Sequence, residues 1–159
     1  MFKVLMATDG SGYSLRGADY IANMFRDRPD VEITVLYVEE VSQMLLSPTS
    51  AASLPPMPIP PEQVTEALIH IREQMERERN TIMEAAMERF TSFGKRATSR
   101  AQMGKPADII CDIADQENFD LVVVGSSGKG LMKRALLGSV SYKVVHQCKV
   151  PVLVVREKE

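Results

Sequence analysis

The chain has 159 residues, enough for one domain with a sizeable core and too few for two comfortable ones. Hydrophobic residues make up 45% and charged residues 25%, the balance of an ordinary globular protein. The formal net charge is -2, from 19 basic and 21 acidic side chains, with no basic segment of the kind that binds nucleic acid. No apolar run approaches the roughly 18–20 residues of a membrane span. The opening MFKVLMATDG runs straight into a strand without a signal-peptide pattern, so a cytoplasmic location and no membrane partner are expected.

Taken in chain order, Phe2 to Thr8 is a short apolar run that fits a strand buried on both faces. The turn cluster DGSGYS follows. An amphipathic helix then runs from Ser14 to about Arg28, with Leu15, Ala18, Ile21, Ala22 and Phe25 at helical spacing, until Pro29 and Asp30 stop it. Val31 to Val38 is a second strand, rich in β-branched residues. Glu39 to Pro61 holds most of the chain's nine prolines and reads as a Pro/Ser-rich surface insert. A long helix spans Glu62 to Phe93, with the charge run REQMERER as its solvated face and Gly94 as its C-cap.

Lys95 to Gln102 reads as a third, more polar strand. Pro106 opens a helix running to about Glu117, proline being well placed in a first turn. Leu121 to Val124 is a uniformly apolar fourth strand, Ser139 to Gln147 a further helix, and Val150 to Val155 the fifth strand. Cys111 and Cys148 sit in neither a CxxC nor a metal-ligand spacing and read as buried small apolar residues. With the isolated His70 and His146 they compose no zinc site. The alternation of strands and helices predicts one α/β domain over residues 1–159: a parallel sheet with helices on both faces. In such a sheet ligands bind beyond the carboxyl ends of the strands, where the winding reverses.

The fourth strand leads into GSSGKGLMKRALLGSVS. Gly125 and Gly128 are separated by two residues, and nine residues separate Gly128 from Gly138, which Ser139 follows at once. Glycines let a backbone approach a phosphate, and successive amides in such a turn form an anion nest. Gly138-Ser139 opens a helix whose free N–H groups and positive dipole end would face the same space, with Ser139 and Ser141 adding hydroxyls. Lys129, Lys133 and Arg134 give the spacer positive charge. Neither a Walker P-loop nor a GxGxxG fingerprint occurs.

The pattern G-x2-G-x9-G-[ST] after the fourth strand resembles the ATP-binding branch of the universal stress protein family. So do the opening VLMATDGSGYS, the stretch GKPADIICDIADQENFDLVVVGSSGKG and the closing VSYKVVHQCKVPVLVV; together they cover nearly all of the chain except the insert. The resemblance implies an open sheet of five parallel strands in the order 3-2-1-4-5. It implies a base pocket from Ala7, Thr8 and Val38, and Asp9 near ribose and adenine. It also implies phosphate contacts at Gly125, Ser127, Gly128, Gly138, Ser139 and Ser141, with Val124 and Val140 beside them. The ligand so implied is ATP, ADP or AMP, with Mg2+ or Mn2+ reached from Asp9 through water. Asp9 has a second reading, as a cap on the following helix through amides near Ser11 and Gly12. A homodimer through the last strand, about Val150–Val155, is expected, as is a protein partner of unspecified identity.

The leading expectation is thus an ATP-binding regulatory stress-response protein whose nucleotide state sets conformation or partner binding. A slow ATPase or other nucleotide-dependent enzyme is the first alternative, although no general base is evident. A nucleotide-independent dimeric interaction module is the second. The SGGxDS loop of carboxylate-activating enzymes is absent from DGSGYS. The aspartate that a phosphorylated receiver domain needs at the end of its third strand is absent from ATSRAQMG.

Overall fold

The computed structural model describes residues 1–40, 61–92, 94, 96–127 and 137–156. Most of the expected insert (residues 41–60) lies outside these, and so do Gly128, Lys129, Lys133 and Arg134. Five strands, β1 (Phe2–Thr8), β2 (Val31–Glu39), β3 (Ala97–Met103), β4 (Leu121–Gly125) and β5 (Val152–Val155), pair in parallel in the order β3-β2-β1-β4-β5. Between them run α1 (Gly12–Met24), α2 (Pro61–Ser92), α3 (Pro106–Gln116) and α4 (Ser139–Gln147). Among the described residues no helix is long and apolar enough to cross a membrane.

Strand periodicity divides the core. Val4 and Met6 of β1, Ile33 and Val35 of β2 and Val123 of β4 face one side of the sheet, where Ile21 and Ala22 of α1 and Ala86 and Phe90 of α2 cover them. Leu5, Leu36, Val122 and Val124 face the other side, under Ile110 and Ile113 of α3 and Val144 of α4. A sheet buried on both faces needs apolar residues at consecutive strand positions, which is why VLM and LVVV read as unbroken runs.

Several element ends differ by one to a few residues from the sequence expectation; α1 starts at Gly12 and not Ser14, and β3 runs Ala97–Met103 and not Lys95–Gln102. α1 stops at Met24, not near Arg28, because the amides of Arg26 and Arg28 turn back to Asn23 and Phe25 carbonyls in tight i to i−3 bonds. β5 starts at Val152, since Pro151 has no N–H for the ladder, although its carbonyl accepts the Val122 amide at 2.9 Å. Gly125 belongs to β4 and closes that strand. Gly94, with φ of +67°, ends α2 as a left-handed C-cap, as its position suggests.

The cysteines correct the sequence reading. Cys111 of α3 and Cys148, the C-cap residue of α4, are joined in a disulfide across 37 positions of sequence. They are half-buried against the α3–α4 side of the core, so their apolar setting was read rightly and their bond was missed.

Candidate nucleotide site

β1 and β2 stay in register to Thr8↔Tyr37, whereas β1 and β4 pair only from Val4↔Leu121 to Met6↔Val123. Past Met6 and Val123 the two central strands part, because their following helices leave on opposite faces of the sheet. A cleft of about 580 Å3 opens there. It lies at the reversal of strand order, where open α/β sheets bind ligands.

Of the residues expected from sequence, Ala7, Thr8 and Asp9 from β1 and its exit line this cleft, and Val38 of β2 lines it from one side. Val124, Gly125 and Ser127 line it from β4 and its exit, and Gly138, Ser139, Val140 and Ser141 from the start of α4. Gly128 falls outside the described residues. The cleft also takes in residues the sequence reading passed over. Leu36, Pro106 and Ile110 extend its apolar side, and Ser14, Tyr37 and Glu40 add polar groups. Leu36 and Tyr37 had a usable signal, being neighbours of Val38 on one strand end. Pro106 and Ile110 had none until the third strand placed α3 beside the second.

The β1–α1 turn is held by a chain of buried hydroxyls. Ser11 is the N-cap of α1, its Oγ accepting the Ser14 amide at 3.3 Å. The Ser14 hydroxyl donates to the Ser11 carbonyl at 3.0 Å, which leaves Thr8 to donate to Ser14 Oγ, also at 3.0 Å. The Gly10 amide donates to Thr8 Oγ1 at 3.2 Å. Asp9 Oδ1 accepts the Ser11 amide at 3.0 Å, an Asx turn that leads into the helix. Ser11, and not Asp9, thus caps the helix; Asp9 holds the turn before it and also lines the cleft.

The start of α4 is built differently. Its N-cap is Gly138, with no side chain to satisfy the first amides, and its first turn carries no acidic residue. The N-terminus of α1 is closed by its own serine, and that of α3 has Asp108 in its first turn. Of these three helices, α4 thus presents the least neutralised positive end to the cleft. Two bonds to Ser126 aim it: Gly138 N donates to Ser126 O at 2.8 Å, and the Ser141 hydroxyl donates to the same carbonyl at 3.1 Å and to Gly138 O at 3.0 Å. Ser141 is buried with its proton committed to these carbonyls, so it positions the helix, while exposed Ser139 offers an outward hydroxyl.

Gly125 is demanded by packing. A Cβ there would lie 2.9 Å from both the Ser14 nitrogen and the Tyr13 carbonyl carbon. The end of β4 thus passes against the first turn of α1 at backbone distance. Among the described residues no group of three or more His, Cys, Asp and Glu side chains could hold a metal.

A parallel open sheet in the order β3-β2-β1-β4-β5, with a crevice at its central reversal flanked by an uncapped helix, defines a doubly wound α/β protein. The universal stress protein family matches residues 1–156, and this chain belongs to that family. A universal stress protein of Methanocaldococcus jannaschii is 30% identical over 155 residues, 98% of this chain and 82% of the relative. Universal stress protein YxiE of Bacillus subtilis is 32% identical over 154 residues, 97% and 98% of the two chains. Among solved structures, MJ0577 of Methanocaldococcus jannaschii, studied for structure-based assignment of its biochemical function, superposes with a TM-score of 0.76 at 25% identity, over 99% of this chain and 97% of that one. A universal stress protein family protein from Arabidopsis thaliana, solved with AMP bound, gives 0.67 at 18% identity, over 99% and 93%.

Proposed function

We propose that this protein binds an adenine nucleotide in the β1–β4 cleft, with ATP and Mg2+ or Mn2+ as the physiological pair, and acts as a regulatory stress-response protein. The observation that carries the reading is the open N-terminus of α4, aimed by Ser126 into a cleft whose opposite side is apolar. A polyphosphate fits the amides of Ser139 and Val140 and the Ser139 hydroxyl. A purine fits between the β2 end (Leu36, Val38) and the first turns of α3 (Pro106, Ile110), with Asp9 toward the ribose. The bound AMP of the Arabidopsis family member agrees with this class of ligand. A divalent cation would take most of its ligands from phosphate and water, which suits a cleft with Asp9 and Glu40 and no all-protein cage among the described residues.

We assign the protein to the cytosol and to a homodimer formed through β5, with a further protein partner reading the nucleotide state. The decisive experiment is calorimetric titration with Mg-ATP of wild type and Gly138→Val. Gly138 has φ of −61° and ψ of 158°, extended backbone that valine adopts, so the substitution imposes no left-handed dihedral and tests the phosphate path. Loss of binding in the variant is the expected result; equal affinity in the two proteins removes the proposed cradle.

A further inference from the structure

We propose that the Cys111–Cys148 disulfide is a redox control on the nucleotide cleft, its oxidised form holding α3 and α4 in the binding arrangement and its reduction lowering nucleotide affinity. This inference rests on the nucleotide reading above and names its regulation.

The connectivity carries the argument. Cys111 follows Ile110 on α3, and Ile110 and Pro106 of that helix line the cleft. Cys148 is the C-cap of α4, the helix whose first residues line the cleft from the phosphate side. The disulfide thus links the two helices that carry the proposed purine and phosphate contacts. It also closes a loop of chain that contains β4 and the whole of α4. A helix of nine residues is a rod of about 13 Å, so a displacement at its C-cap tilts it against the bonds to Ser126 that hold its N-terminus.

The disulfide adds to what already joins the pair, the packing of Val140 and Val144 of α4 with Ala107 and Ile110 of α3 and the two bonds from the start of α4 to Ser126. α4 buries only Ser141 and Val144. The nearby ion pair of Lys149 with Asp115, at 2.8 Å, is exposed and screened by solvent. Both cysteines are half-buried, within reach of a small reductant. They are the only two cysteines in the chain, so reduction yields two thiols with no rival intramolecular pairing.

The chemistry is ordinary thiol–disulfide exchange. A thiolate of a dithiol attacks one sulfur, the other leaves as a thiol, and the reagent's second thiol resolves the mixed disulfide. The protein gains two electrons and two protons, and the dithiol departs as its own disulfide. In cytosolic proteins such bonds, when present, are usually transient or sensing.

The test is calorimetry with Mg-ATP on three samples: air-oxidised wild type, wild type reduced with dithiothreitol, and the Cys111→Ala, Cys148→Ala double variant. Maleimide mass shifts count free thiols, and far-ultraviolet circular dichroism checks the fold. Reduction is expected to weaken binding by about 5-fold or more, the lower end of ordinary site-to-site coupling. The double variant should match the reduced protein and ignore dithiothreitol. Coupling is reciprocal, so saturating Mg-ATP should shift the reduction equilibrium by the same factor, which a disulfide without influence on the cleft would not show. If the double variant does not fold, reversible reduction and reoxidation of the wild type decides the matter. Unchanged affinity with the bond shown to be reduced overturns the proposal, as do two free thiols in the air-oxidised protein. Absence of Mg-ATP binding to the oxidised protein overturns the nucleotide reading and this inference with it.

Discussion

Gly125 shows how one residue type can answer two demands. Its place in a glycine motif suggested room for a phosphate, and it does line the cleft. Its close neighbours, however, are the Ser14 nitrogen and the Tyr13 carbonyl carbon, each 2.9 Å from where a Cβ would sit. Backbone in α1 cannot swing aside as the end of a side chain can. Gly125→Ala is therefore expected to destabilise the fold by about 1–3 kcal/mol, the usual cost of overpacking, seen as a lower midpoint of thermal unfolding. Asp9 also serves twice, and there the demands separate. Asp9→Asn keeps an oxygen for the Ser11 amide and removes the charge. It should leave thermal stability nearly unchanged while weakening Mg-ATP binding in calorimetry; a matching loss of stability would mean that its role is confined to the turn. Gly125, Gly138, Ser139 and Ser141 were legible from the glycine turn and helix start, whereas Ala7, Thr8, Val38, Val124 and Val140 came from the family resemblance; all of these line the cleft. The committed proton of Ser141 and the approach of Gly125 to α1 were not legible, since both depend on where another segment lies.

At the scale of elements, the two edges of the sheet contrast. β3, reading ATSRAQM, is exposed along most of its length and carries Arg100 and Gln102, which discourage pairing with another chain. β5, reading VLVV, is half-buried throughout with no charge. That difference supports the proposed dimer through β5. Replacing Val152 and Val154 with lysine is expected to give monomer in sedimentation, and a wild type that sediments as a monomer at micromolar concentration would refute the dimer. The order of elements could be read from the sequence because most change their hydrophobic period at a Gly or Pro boundary, the exception being the α3–β4 turn, where Asn118 takes the positive φ of 54°. The starts of β5 and the end of α1 shifted by a few residues where a missing N–H or a tight turn decided. The α3–α4 disulfide left no local pattern, since its partners lie 37 positions apart and meet only once β4 and β5 lie side by side.

For the whole molecule, the proposed nucleotide reading, with the open N-terminus of α4 as the phosphate-facing element, implies binding without fast chemistry. Holding a phosphate and orienting a water against it are separate requirements. The described cleft offers carboxylates at Asp9 and Glu40 and no histidine. Mg-ATP is expected to be turned over by the isolated protein well below about one per second, the low end of ordinary enzymes. Phosphate release at or above that rate would favour the ATPase reading.

The central position of β1 also governs how the molecule is made. Of the five strands β1 leaves the ribosome before the others, and β2, which pairs along one of its edges, follows within roughly 10 s of ordinary synthesis at about 5–20 residues per second. Its other edge waits for β4: Lys3 and Asp120, joined through the Lys3 amide at 2.8 Å, are 117 positions apart. Until then the nascent chain carries an unpaired edge flanked by Val4, Leu5 and Met6, all fully buried in the finished fold. A fragment ending at Gln116 should accordingly aggregate where the full chain stays in solution, as sedimentation of the two would show. The last third of the sequence, besides supplying much of the candidate site, is what finally shields the first strand.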